Sequence, residues 1–224
     1  MTPGRPRRTR GPRSAARRTG RRLRIGVLGG SFDPVHVGHL ILAESAISHL
    51  KLDELILVPA GQPAHKRRRI LAAADHRVAM LRLAARGNRK LRVSRVEVDR
   101  PGVTFTVRTL ESFVRSRSAD WYFLMGEDSL REFGTWREPG RILELARLAV
   151  VGRAAGHGAA RRAPPVLVRR GRIVKVPMPA VEISSSEIRR RVRRGAAVRY
   201  WVPDAVLSYM ERHELYRNRR PGRS

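Results

Sequence analysis

The chain has 224 residues, a formal charge of +29 and no cysteine, which fits one ordinary domain with a real core and excludes disulfides and cysteine metal sites. No stretch approaches about 18 consecutive apolar residues, so no membrane-spanning helix is expected, and the arginine-rich start lacks the apolar run of a secretory signal. The chain reads as cytoplasmic.

Residues 1–24 carry ten arginines and no acid. With Pro3, Pro6 and Pro12 interspersed, such a segment cannot bury enough surface to fold. The expected division is a disordered basic tail over 1–22, one domain over 23–217 and a frayed basic end over 218–224. Nucleic acid would be held through this charge weakly, if at all, because no aromatic-interleaved platform or nucleic-acid motif accompanies it.

Leu23 to Leu28 is a short apolar run read as a strand, and it feeds Gly29-Gly30-Ser31-Phe32-Asp33-Pro34-Val35-His36-Val37-Gly38-His39. Two glycines let the backbone approach a ligand, Asp33-Pro34 forces a turn, and Gly38 leaves room where a helix begins. His36 and His39 lie three apart, so both can lean toward that helix N-terminus. Its unsatisfied N–H groups and partial positive charge suit a phosphate. Zinc is disfavoured by the lack of cysteines and of HExxH spacing. Neither GxxxxGK[ST] nor a strand-linked GxGxxG is present. An incidental turn is the bland alternative.

Gly38 to Leu50 has helical spacing. Glu54 to Val58 reads as a buried parallel strand, followed at its C-terminal end by Pro59-Ala60-Gly61-Gln62-Pro63-Ala64-His65-Lys66, at the sheet edge where α/β folds bind ligands. A helix is expected over Asp75 to Arg86 with Asp75 as its cap and Gly87 ending it, and a strand over Leu91 to Val98. Thr104 is expected to begin a helix to about Val114, with Thr106 in its first turn. Trp121 to Met125 is an apolar strand stopping at Gly126-Glu127-Asp128. An aspartate there caps a helix or accepts ribose hydroxyls. Trp136 follows, open to a core role or to stacking on a flat ring. A helix over Glu138 to Arg147, a strand over Leu148 to Val151, a loop around His157 and one or two strands within 166–176 complete this part.

Ile183-Ser184-Ser185-Ser186-Glu187-Ile188-Arg189 has capping-box spacing between Ser184 and Glu187. Taken alone it is a well-capped surface helix. Its serines and free N–H groups would also cradle an anion, with Arg189 forking onto phosphate oxygens. A closing helix, with Pro203 at its first position, is expected to run to about Tyr216.

His36-Val37-Gly38-His39 is similar to the HxGH loop of the nucleotidyltransferase superfamily, and the longer loop most resembles that of nicotinate-nucleotide adenylyltransferases. The resemblance spans Leu23 to Tyr216 and includes the elements at 62–66, 104–106, 126–130 with Trp136, and 183–189, in family order. It implies a single Rossmann-like, doubly wound parallel sheet with flanking helices, in an enzyme that transfers AMP from ATP to nicotinate mononucleotide, giving deamido-NAD and pyrophosphate. By resemblance, Gly29, Gly30, Ser31, Phe32, His36, His39, Gly126, Asp128, Ser185, Ser186 and Arg189 would bind ATP, with His36, His39 and Arg189 catalytic. His65, Lys66, Thr106 and Trp136 would receive nicotinate mononucleotide. Mg²⁺ would come with ATP, held mainly by substrate phosphates. Phe105 stands where many members carry tyrosine, and Ser31 where many carry threonine. Another nucleotidyltransferase, such as a phosphopantetheine adenylyltransferase or a nicotinamide-preferring relative, and a basic nucleic-acid binder are the alternatives. A homo-oligomer is compatible with the sequence.

Overall fold

Eight strands organise the described residues: β1 (Arg24–Gly30), β2 (Glu54–Pro59), β3 (Gln62–Pro63), β4 (Leu91–Val93), β5 (Val103–Thr104), β6 (Asp120–Gly126), β7 (Arg147–Arg153) and β8 (Ile173–Met178). The computed structural model describes residues 21–63, 72–153 and 172–218. Six of the strands form one sheet in the order β4-β2-β1-β6-β7-β8, every neighbouring pair parallel, while β3 and β5 pair separately. The strand order reverses between β1 and β6. At such a switch point the loops diverge to opposite faces and leave a crevice at the strands' C-terminal ends.

Alternation along the strands decides what covers each face. Leu28, Leu55, Leu57, Tyr122, Leu124, Ala149 and Val151 point into one core, with α1 (Val37–Leu50), α2 (Ala74–Ala85), α6 (Ser185–Arg193) and α7 (Asp204–Arg212) packed over it. Ile25, Val27, Ile56, Val58, Trp121, Phe123, Met125, Leu148 and Val150 point into the other, under α3 (Thr106–Ser116), α4 (Glu127–Arg131) and α5 (Pro139–Leu145). Both faces are apolar, so the strands read as continuous apolar runs. This is the doubly wound architecture expected. No helix among the described residues is long and apolar enough to cross a membrane.

Several local expectations need correction. The strand expected over Leu91 to Val98 stops at Val93. Beyond it Arg95 reaches both Asp75 and Asp99, and Glu97 accepts from the Thr104 and Thr109 hydroxyls. Side-chain bonds that reach up to 20 residues along the chain therefore replace a ladder. Thr104 lies in β5, and α3 starts at Thr106 with Phe105 as its N-cap. Ala73, not Asp75, is the N-cap of α2, since the Asp75 carboxylate is engaged by Arg95. Pro203 is an N-cap rather than the first helical residue, and α7 ends at Arg212. Arg21 and Arg22, assigned to the basic tail, ion-pair with Asp53 and Asp120. The rest of the tail, the loop around His157 and residues 219–224 lie outside the described residues.

Candidate active site

The loop from β1 to α1 is held by side chains from elsewhere in the chain. Arg77 Nη1 donates to the Ser31 carbonyl at 2.9 Å, Arg189 Nη1 to the Asp33 carbonyl at 2.6 Å, and Ser185 Oγ to the Pro34 carbonyl at 2.8 Å. Three of the turn's carbonyls are thereby satisfied. The loop is fixed before any ligand arrives, as electrostatic preorganisation requires. Phe32 is held in the left-handed region at φ 47°. Its ring is 1% exposed and lies 4.9 Å from that of His39. Phe32, expected among the ATP contacts, therefore braces a histidine with its side chain.

His36 is the N-cap of α1, and its ring sits 3.8 Å from the His39 ring. The two are tied by the His36 N–H, which donates to His39 Nδ1 at 3.3 Å. Trp201 takes the first amide of α1, its carbonyl accepting from Val37 N–H at 2.9 Å. His36 is 6% exposed, and burial pushes its pKa down to about 4. His39 is lowered well below the usual imidazole value by burial and by the adjacent His36. Both rings are therefore neutral near pH 7 until an anion arrives. A phosphate beside them would raise both pKa values by favouring the charged form.

α6 begins as the sequence indicates: Ser184 caps it by accepting from Glu187 N–H at 3.2 Å. Ile188 buries one side, and Arg189, on the next position, turns toward the β1 loop, where Nη2 also donates to Ser186 Oγ at 3.2 Å. Two buried polar atoms that flank this turn, His36 Nδ1 and Arg189 Nε, have no hydrogen-bond partner. His36 Nδ1 faces the first turn of α1, where the ring takes part in a capping box with His39. Arg189 Nε is a buried donor left unmade, which is costly, and an oxyanion suits it.

The opposite face supplies the second half of the crevice. Gly126 caps α4 at the end of β6, next to β1. A Cβ at Gly29 or Gly126 would meet nothing within 4 Å, so both edges are open. The Asp128 side chain is 89% exposed and ion-pairs with Arg131. Trp136 lies half-buried against Phe123, at 5.9 Å and 78°, and against Phe133 at 5.7 Å. Arg137 stands over the Phe105 ring at 5.0 Å, which brings the Phe105-Thr106 corner beside the Trp136 segment. His65 and Lys66 lie outside the described residues. The phosphate-type residues thus sit over one face of the sheet and the aromatic ones over the other, meeting at the C-terminal edge.

Sequence reasoning missed three residues. In the sequence Asp33 reads only as part of a turn, yet it is 0% exposed, and its Oδ1 accepts from Tyr216 Oη at 2.7 Å and from Ala72 N–H at 3.1 Å. Arg77 is 2% exposed, with its pKa lowered by burial. The signal was available: it lies three and four residues before the buried Met80 and Leu81, so an arginine stands on the apolar face of α2. Tyr216 carried no such signal.

A cytidylyltransferase-like family model matches residues 27–191. A probable nicotinate-nucleotide adenylyltransferase of Thermomicrobium roseum is 46% identical over 199 residues, covering 87% of this chain and 92% of the relative. Relatives of the same description from Thermus thermophilus and Acidothermus cellulolyticus are 43% and 39% identical, covering 87% and 92% of this chain and all of theirs. Among solved structures, the Plasmodium falciparum nicotinic acid mononucleotide adenylyltransferase complexed with NaAD superposes with a TM-score of 0.69 at 18% identity, over 87% of this chain and 97% of that one. At that identity the likeness speaks for the fold.

Proposed function

The chain belongs to the cytidylyltransferase-like family and, within it, to the nicotinate-nucleotide adenylyltransferases, and we propose that it transfers AMP from ATP to nicotinate mononucleotide, releasing pyrophosphate and forming deamido-NAD. The observation that carries this beyond the relatives' names is Arg189 Nε, a buried, unpartnered donor on the guanidinium that also holds the Asp33 carbonyl of the turn at the switch point.

In this reading a 5′-phosphate oxygen of the mononucleotide attacks the α-phosphorus of ATP in line. The new O–Pα bond forms as the bond to the bridging oxygen of pyrophosphate breaks. No protein nucleophile is needed, so positioning and charge stabilisation carry the rate. His36 is the group set against the α-phosphate, with His39 beside it. Arg189, Ser185 and Ser186 face the distal phosphates and the leaving pyrophosphate, and Asp128 the ribose. Trp136 and Thr106, with His65 and Lys66, face the pyridine nucleotide.

The donor set around the turn consists of imidazoles, a guanidinium and hydroxyls, which suits phosphate oxygens better than a hard cation. Asp33, the carboxylate inside the turn, is committed to Tyr216 and Ala72. Mg²⁺ would therefore come with ATP and be held chiefly by its phosphates, where it neutralises charge on the leaving group. We assign the enzyme to the cytoplasm and expect nucleic acid to bind only through non-specific charge.

Incubation with Mg-ATP and nicotinate mononucleotide tests this. The expected product has the mass of deamido-NAD, with one pyrophosphate released per molecule formed. Hydrolysis of ATP without a dinucleotide product would contradict the reading.

A further inference from the structure

The segment after α7 ends in an unusual way. Glu214 and Tyr216 both lie in the left-handed region, at φ 50° and 65°. Residues with side chains hold this conformation only where their surroundings over-determine it. Tyr216 is held by burial and by one polar contact, its hydroxyl donating to Asp33 Oδ1 at 2.7 Å across 183 positions of sequence. The phenol is kept protonated there: burial and the Asp33 carboxylate push its pKa far above the usual value.

We propose that Tyr216 is a positioning residue for ATP, acting through Asp33 on Arg189; this rests on the assignment of Arg189 to the ATP phosphates above. Two donors, Tyr216 Oη and Ala72 N–H, converge on Asp33 Oδ1. Oδ2 stands 3.8 Å from Arg189 Nη1, an ion-pair separation beyond hydrogen-bond length. The guanidinium instead places Nη1 on the Asp33 carbonyl and Nη2 on Ser186, and Nε has no partner. The tyrosine hydroxyl thus offsets part of the buried carboxylate's charge through Oδ1 and weakens the pull of Oδ2 on the Arg189 guanidinium.

Without the hydroxyl, Oδ1 loses one of these two donors. In a site of low dielectric the carboxylate and guanidinium then close into a direct pair. That withdraws Arg189 from a phosphate and neutralises its charge. Nothing in this chain of contacts reaches Trp136 or Thr106, so binding of the mononucleotide is spared.

The test uses the full chain with Mg-ATP and nicotinate mononucleotide, comparing wild type, Tyr216→Phe, Asp33→Asn and the double variant. Tyr216→Phe is expected to raise KM for ATP about tenfold, the worth of one hydrogen bond to a charged group, with KM for the mononucleotide within about twofold of wild type. In the Asp33→Asn background, where no charge remains to capture Arg189, the same substitution should change KM for ATP less than about twofold. A role confined to stability would lower the melting temperature and leave this split absent. An unchanged KM for ATP, both KM values rising together, or an equal effect in the Asp33→Asn background would overturn the proposal. If Asp33→Asn does not fold, the split between the two KM values in Tyr216→Phe decides alone. A wild-type chain without turnover would overturn the functional reading and this proposal together, whereas an active wild type with no split overturns this proposal only.

Discussion

Gly38 lies against the His36 imidazole: a Cβ at position 38 would stand 3.0 Å from His36 Nδ1 and 3.1 Å from Cε1. Val181 Cγ1 closes the other side at 3.4 Å. The glycine of the HxGH loop therefore serves the ring two residues earlier, and no positive φ is involved.

Gly38→Ala separates stability from activity. Alanine is the better helix former by roughly 0.5–1 kcal/mol, so the variant should remain folded with a melting temperature within a few degrees of wild type. Its methyl group must displace the imidazole, and kcat should fall by about tenfold or more. Calorimetry alongside pyrophosphate release checks both halves. A fully active alanine variant would show that His36 does not need its observed place.

His36→Ala should lower kcat by about two to four orders of magnitude with the fold retained, as expected for loss of a preorganised group at the reacting phosphorus. Circular dichroism establishes the fold, and single-turnover kinetics the chemical step. Near-normal turnover would remove His36 from its assigned role.

Acid should destabilise the protein through this same residue. With its folded pKa lowered to about 4, His36 stays neutral in the native state while the unfolded chain, at about 6.5, takes up a proton. The unfolded state thus binds more protons between about pH 6.5 and 4, so stability is full above the unfolded pKa and falls as pH drops through that window. The loss amounts to roughly 3 kcal/mol for His36, and His39 adds to it in the same direction. Denaturant titrations between pH 7.5 and 4.5 should give a steeper pH dependence for wild type than for His36→Gln. Identical slopes would contradict the buried, neutral imidazole.

Trp136→Ala should weaken nicotinate mononucleotide far more than ATP, because the ring sits on the face of the sheet away from α1 and α6. It also packs against Phe123 and Phe133, so a loss of stability of about 1–3 kcal/mol accompanies it. Trp136→Phe keeps most of the packing and should recover most of the acceptor affinity. Equal increases in both KM values would argue against a stacking role.

Arg77→Leu should be costly though no substrate contact is assigned to it. The Ser31 and Ala72 carbonyls would lose a donor, and the buried Asp33 a nearby cation. Removing one member of such a buried charged group costs about 3–5 kcal/mol, readable as a fall in the denaturation midpoint. A midpoint within error of wild type would show that the turn is held without Arg77.

Much of the architecture was legible because it is written in local signals. The apolar runs at Ile25, Leu55, Trp121 and Leu148 each became a parallel strand, and Ser184 caps its helix through Glu187 N–H as the spacing indicated. The failures share a cause. Val96 and Val98 alternate with acids in strand fashion, but Arg95 ties Asp75 to Asp99 and Glu97 turns to two threonine hydroxyls, so side-chain bonds between distant residues override the pattern. Asp33 and Tyr216 escape for the same reason, since the contact between them leaves no periodic trace, whereas Arg77 does leave one, as an arginine on the apolar face of α2. Phe32 could be placed in the loop from sequence, but its inward direction depends on a left-handed backbone that only the folded chain displays.

Among possible measurements, kcat/KM for pyrophosphate release from Mg-ATP, with nicotinate mononucleotide, nicotinamide mononucleotide and phosphopantetheine assayed in parallel, bears most directly on the central claim. Efficient release is expected with nicotinate mononucleotide and a far lower value with the other two. Preference for either other acceptor would keep the ATP site and contradict the acceptor assignment at Trp136, and no release with any of the three would contradict adenylyl transfer itself.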